Sequence, residues 1–253
     1  MARILAIHAH PDDIETLCAG TLALLAGKGH RTTLATMTAG DCGSTVTDAD
    51  ETARIRIGEA TRAAALIGAE YLCVGIPDLC VFNDDPTRRM VTEVLRGVAP
   101  DLVITASPAD YHPDHEATSV LVRDACFAAP VPNYEPGGAR PLAAIPHLYF
   151  CDPIEGRDRS GAKIAPDFAV NVETTFAKKR AMLECHASQI GWVEKQHGIA
   201  DYAGAMLEWT KTSGRSFGVA YAEGFRQYTG TPYPRTKLLQ DLVGEALVTS
   251  LSK

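Results

Sequence analysis

Short apolar runs alternate along the first half of the chain with longer stretches whose apolar positions recur at helical spacing. Arg3–His8 is apolar and β-branched, as suits a strand buried on both faces of a parallel sheet. Residues 14–27 then read as a helix, with Leu17, Leu22, Leu24 and Leu25 inward and Gly27 or Gly29 as the stop. Arg31–Thr38, residues 71–75 and residues 101–105 are three more strands. Between them, residues 51–67 (closed by Gly68) and 87–98 (ended by Pro100) have helical period, and 116–128 is the next helix. Strand and helix in alternation predict a parallel sheet with right-handed crossovers. The Gly/Asp/Ser/Thr-rich stretch 39–50 is a long loop at a strand's carboxyl end, where open α/β sheets place function.

Beyond residue 129 the alternation loosens. Residues 130–141, with four prolines and two glycines, form a loop that is either a lid over the site or a surface excursion. His147–Cys151 and residues 168–172 are further strands, joined by an exposed hairpin-like connection at 155–163. Residues 176–189 and 200–211 are helical, with Trp209 near the end of the second, and 236–248 is a terminal helix that packs on the domain or on a neighbouring subunit. No repeat or linker divides residues 1–253, so the expected fold is one α/β domain with a mostly parallel central sheet flanked by helices.

Composition narrows the function classes. The chain is 46% hydrophobic and 22% charged, with a formal net charge of −7 and scattered basic residues, which argues against nucleic acid or an anionic membrane as partner. No signal peptide and no stretch of the roughly 18 apolar residues a membrane helix needs is present, so a cytoplasmic protein acting on small molecules is expected. Seven cysteines without a CxxC pair fit reduced thiols, and Cys73 and Cys80 read as buried small hydrophobes rather than a metal pair.

The chemistry gathers behind two strands. His10-Pro11-Asp12-Asp13 follows the first, and about a hundred positions later His112-Pro113-Asp114-His115 follows the fourth. Proline and acids in a first turn are ordinary helix-start chemistry, but capping calls for no histidine. Residues i and i+3 share a face, so His10 with Asp13, and His112 with His115, form two pincers. A dinucleotide fold would instead put a Gly-x-Gly-x-x-Gly turn behind the first strand, which disfavours a nucleotide-dependent oxidoreductase.

Two histidines and a carboxylate around an open position make a hydrolytic zinc site, which lowers the pKa of a water to about 7. His10, Asp13 and His115 supply that set. Asp12 is left to take a proton from the water and pass it to a leaving nitrogen. His112, if protonated, stabilises the oxyanion. Asp114 either holds His112 charged and oriented or is a first-turn helix acid. Iron, cobalt, nickel or manganese would suit the same mixed donors.

The paired tetrads, with Glu15, resemble the signature of the LmbE-like, or PIG-L, family of metal-dependent N-deacetylases. Further matches are Arg56 with Glu59, Ala63 and Leu66-Ile67-Gly68; Gly75-Ile76-Pro77-Asp78; His186-Ala187-Ser188-Gln189; and Tyr221-Ala222-Glu223-Gly224-Phe225-Arg226. The likeness spans almost the whole chain. It implies a Rossmann-like fold, removal of an acyl group, usually acetyl, from the nitrogen of an amino sugar or its conjugate, and a homo-oligomer, often a trimer or hexamer. By motif it implies metal ligands at His10, Asp13 and His115, the base at Asp12 and the charge-stabilising histidine at His112. Arg56 and Asp78 fall where relatives hold substrate; otherwise they are an i,i+3 ion pair with Glu59 and a turn residue. Glu15 braces the metal loop or caps its helix, and His186 is a structural contact behind the site, as are His8, His30, His147 and His197. Tyr111, just before the second tetrad, stays outside the assigned set.

Two other readings remain open. A metal hydrolase of another class on the same site, a phosphoesterase or a different amidase, would be favoured by two metals per chain. A non-catalytic sugar binder would bind ligand without releasing acetate.

Overall fold

The computed structural model describes residues 1–135, 137–189, 192 and 201–250. Eight strands, β1 (Arg3–His8), β2 (Arg31–Thr38), β3 (Glu70–Ile76), β4 (Leu102–Thr105), β5 (His147–Cys151), β6 (Phe168–Asn171), β7 (Ala222–Gln227) and β8 (Val248–Thr249), form one sheet in the order β3-β2-β1-β4-β5-β7-β6-β8. The first five pair in parallel and the last three join antiparallel. The helices are α1 (Asp13–Leu17), α2 (Ala19–Gly27), α3 (Ala49–Ala65), α4 (Asp85–Val98), α5 (Pro113–Ala128), α6 (Phe176–Leu183), α7 (Tyr202–Phe217) and α8 (Leu238–Val243). None of the described helices is long and apolar enough to cross a membrane.

The period-two alternation of β1 divides the core. Ile4 and Ala6 pack with Leu17, Leu22, Ala63, Met182 and Leu239 on the face covered by α1, α2, α3, α6 and α8. Leu5 and Ile7 pack with Val91, Leu95, Leu121 and Val122 on the face covered by α4 and α5. Each fully buried leucine, isoleucine, valine or methionine among them contributes about 1.5–3 kcal/mol. Chain order reverses between β1 and β4, and open α/β sheets place ligands at that switch point, outside the carboxyl ends of the strands. Both tetrads leave the sheet there.

Several elements depart from the sequence pattern. The helix expected over 14–27 is two helices, because Cys18 leaves helical geometry at φ −144°, ψ 8°. The bend lets the backbone N–H groups of Gly20 and Thr21 donate to Glu223 at 2.9 and 2.7 Å, seating a carboxylate on the positive end of α2. Lys179, itself fully buried, pairs with the same carboxylate at 2.6 Å. The helix expected over 176–189 is broken by a turn at residues 184–186, and residues 187–189 are helical again. The terminal helix expected over 236–248 is only the short α8: Gly244, at φ 91°, stops it, and β8 then pairs with β6. Strand β7 had no β-branched run to announce it. Cys73 is half-buried on β3, an edge strand, and Cys80 is exposed in the loop that follows it, so neither is the buried hydrophobe expected. The connection at 155–163 does carry a hairpin-like bridge, between Arg157 and Lys163. Within the loop 130–141, Tyr134 and Ala139 bond to Asp85 and Glu93 of α4, so the described part lies along that helix. His197 and the start of the helix expected over 200–211 lie outside the described residues.

Candidate active site

The first tetrad turns sharply out of β1. Asp12 takes φ 94°, ψ −23°, a left-handed conformation that non-glycine residues adopt at a cost. This turn lets Asp13 Oδ2 accept from the backbone N–H of His10 at 2.8 Å and face the His10 ring at 3.4 Å. The second tetrad opens α5: His112 is its N-cap and accepts from the backbone N–H of Asp114 through Nδ1 at 3.2 Å. That bond fixes the tautomer of a neutral His112, leaving Nε2 as the protonated, donating nitrogen.

The two tetrads converge. Nitrogens of His10, His112 and His115 lie within 4.8 Å of one another. Asp13 bridges the halves, with Oδ1 3.3 Å from His115 Nε2. His10 Nε2 also faces Asp78 Oδ1 at 3.0 Å and Asp114 Oδ2 at 3.4 Å, yet is buried without a well-formed hydrogen bond. A buried cluster of imidazoles and carboxylates so placed suits a divalent cation with nitrogen and oxygen ligands.

The electrostatics agree. Burial alone would lower the pKa of His10, but Asp114, Asp13 and Asp78 outweigh it and hold it well above its usual value. His115, likewise opposed by burial, is raised to about 9 by Asp13 and Asp110. Burial would raise Asp13, but His115 and His10 hold it well below the carboxylate range. A field that favours protons on two buried imidazoles also favours a cation that displaces them. His112 goes the other way: burial, then His10 and His115, lower its pKa.

The remaining expected residues find definite partners. Arg56 is buried, donating to the carbonyls of Gly40 at 2.9 Å and Pro11 at 2.7 Å, with Asp12 Oδ2 at 3.5 Å. Its guanidinium thus braces the first tetrad. Glu59 turns to Ser188 instead, accepting from both its N–H and its hydroxyl, so the ion pair with Arg56 gives way to this contact. Asp78, expected to hold substrate, faces His10 with its side chain 9% exposed. The Asp114 carboxylate accepts from Leu79 N–H at 2.8 Å and faces His10, so its contact with His112 runs through its main chain. His186, expected to be a structural contact behind the site, lies 3.4 Å from Glu15, which was expected to brace the metal loop or cap its helix. Tyr111 is 52% exposed at the mouth, its ring 5.8 Å from that of His112 and 5.5 Å from that of His115.

Asp110 escaped the sequence reading. Its Oδ1 lies 3.0 Å from His115 Nδ1 and accepts from His112 N–H at 3.1 Å, so one carboxylate orients both histidines of the second tetrad. Its place two residues ahead of the tetrad was the only signal.

Residues 5–126 match the family model described as PIG-L, GlcNAc-PI de-N-acetylase. A 1D-myo-inositol 2-acetamido-2-deoxy-alpha-D-glucopyranoside deacetylase of Corynebacterium glutamicum is 25% identical over 276 aligned residues, covering 92% of this chain and 93% of the relative. A 4-oxalmesaconate hydratase of Pseudomonas putida is 25% identical over 231 residues, covering 88% of this chain and 87% of the relative. The solved N,N'-diacetylchitobiose deacetylase from Pyrococcus horikoshii matches with a TM-score of 0.77 at 25% identity, covering 94% of this chain and 89% of the other.

Proposed function

With residues 5–126 belonging to the PIG-L family, we propose that the chain is a zinc-dependent N-deacetylase that hydrolyses the N-acyl amide of an amino sugar or amino-sugar conjugate. The observation that carries this reading is the convergence of the His10, His112 and His115 nitrogens on one point at the switch of the sheet. His10, Asp13 and His115 would hold the ion. When bound, it supplies Lewis acidity to the amide carbonyl and makes a water acidic near neutral pH.

The chain's own residues do the rest. Asp12, aimed by its left-handed backbone and steadied by Arg56, removes a proton from the attacking water and returns it to the departing nitrogen. His112 donates Nε2–H to the carbonyl oxygen as negative charge develops there, which is worth roughly a hundred- to a thousand-fold in rate for one well-placed donor. Asp110 keeps His115 and His112 in register. Asp78 and Asp114 steady His10 from the side away from Asp13. The amino-sugar class is supported by the C. glutamicum and P. horikoshii relatives. The free thiols of all seven cysteines support a reducing, cytoplasmic setting. A trimer or hexamer is the proposed assembly, readable by light scattering.

The test is acetate release from a panel of N-acetylated sugars, using protein stripped of metal and reloaded with zinc. Activity lost on stripping and restored by zinc is expected. Because one relative is named a 4-oxalmesaconate hydratase, that compound belongs in the panel. Hydration of it, with no acetate released from any sugar, would replace the deacetylase reading.

A further inference from the structure

His8, Cys18 and Cys151 come from three separate places: the end of β1, the bend between α1 and α2, and the end of β5. All three are fully buried. Alternation along β1 turns His8 to the same face as Ile4 and Ala6, where Cys18 and Cys151 belong to the core. One donor atom from each of the three lies within 4.8 Å of the other two. Neither ring nitrogen of His8 makes a well-formed hydrogen bond, although the imidazole acts on the buried Cys151 thiol beside it. Buried polar atoms are almost always well satisfied, so an imidazole whose only polar company in an apolar core is a thiol calls for an explanation. Burial of ordinary hydrophobes accounts for the two thiols but not for the imidazole between them.

We propose that His8, Cys18 and Cys151 form a second metal site, which takes a thiophilic d¹⁰ cation, zinc or copper(I). Metal–sulfur and metal–nitrogen bonds of about 2.3 and 2.0 Å put ligand atoms roughly 3.5–3.8 Å apart. The observed separations, all within 4.8 Å, need only a small contraction. Thiolates select zinc and copper(I) over magnesium, calcium or manganese. Binding releases the two thiol protons to solvent, so a divalent ion with two thiolates brings no net charge into the core. The site is distinct in donor softness from the His10 cluster two residues further along the chain, which contains no sulfur. Being closed to solvent, it takes its ion as the chain folds. The proposal is independent of the deacetylase reading.

The test uses full-length protein produced in cobalt- or copper-supplemented medium, so that the ion is present during folding. Cobalt bound by thiolate gives a near-ultraviolet charge-transfer band, which the histidine–carboxylate cluster alone cannot give. The wild type is expected to show this band with one thiolate-bound ion per chain. Cys18→Ser and Cys151→Ser should lose both the band and one equivalent of metal. Cys42→Ser/Cys80→Ser, on the exposed cysteines, should keep them, and His115→Ala should lose only the ion without the band. A copper(I) equivalent lost in the same two variants, with no cobalt band in the wild type, would assign copper(I). No thiolate-bound ion of either kind in the wild type, or a band that survives in Cys151→Ser, overturns the proposal. So does a count of five free thiols out of the seven cysteines in denatured, unreduced protein, because a Cys18–Cys151 disulfide would leave no thiolates. If either serine variant fails to fold, X-ray absorption of the His115→Ala protein, which keeps only the proposed thiolate site, decides: two sulfur ligands are expected, and none refutes the site.

Discussion

Asp12 combines a backbone outlier with the proposed proton-transfer role, and two substitutions separate the two properties. Left-handed backbone at a non-glycine residue costs about 1–3 kcal/mol, and Asp12 sits at φ 94°. Asp12→Ala keeps that strain and loses the carboxylate; Asp12→Gly loses both. Each variant forfeits the same 3.5 Å contact with Arg56, so that loss cancels when they are compared. Glycine gives back about 0.5–1 kcal/mol through the greater freedom of its unfolded chain. Taking the middle of both ranges, the glycine variant should be more stable than the alanine variant by about 1 kcal/mol, or roughly 2–4 °C in melting temperature for a domain of this size. Both variants should retain metal while turnover falls roughly a hundred- to ten-thousand-fold. Calorimetry, metal analysis and acetate release on the same preparations read all three quantities. Equal melting temperatures would refute the strain, and wild-type turnover in Asp12→Ala would refute the proton-transfer role.

Asp110→Asn should weaken metal affinity roughly 10–100-fold with little change in fold, because it loosens the orientation of His115; competition with a chromogenic chelator measures this, and unchanged affinity counts against the role. Lys179→Met leaves the Glu223 carboxylate buried without its cation and should cost about 3–5 kcal/mol in urea unfolding, toward the lower end because Gly20 and Thr21 still donate to it. Burial raises the pKa of Asp152 to about 7 although Arg226 opposes it. The folded chain thus keeps a proton that the unfolded chain releases near pH 4, so stability should decline as pH rises from about 4 to 7 and then level off. Asp152→Asn should flatten that decline in urea melts taken across this range, and an unaltered slope would assign it to another group.

The strands and helices with their own local signal were legible in the sequence. β1, β2 and β5 have the bounds their apolar runs predict, and α3, α4 and α5 begin two or three residues earlier, at capping residues Asp48, Asp84 and His112. What was not legible depends on partners distant in sequence. The bend at Cys18 is set by Glu223, and β7 becomes a strand because β5 and β6 flank it. In the site, the pairing of the tetrads followed from residue types that capping does not require. The spatial neighbours of His10 did not: Asp78 and Asp114 reach its far nitrogen from other segments, and nothing in their spacing announces it. Arg56, expected either to hold substrate or to pair with Glu59, grips the backbone of Pro11 and Gly40, a contact that depends on where two loops pass each other.

Glu223 meets Gly20 across 203 positions of chain. Closing so long a loop is slow and entropically costly compared with the local pairings of the parallel half. The helices that seat His10 and Asp13 therefore reach their final bent form only after strand β7 has been synthesised and docked. Maturation of this protein should run backwards from the usual picture of an N-terminal half that finishes first: the earliest-made residues of the proposed metal site are among the last to be locked, and capture of the proposed ion would belong to the closing stage of folding.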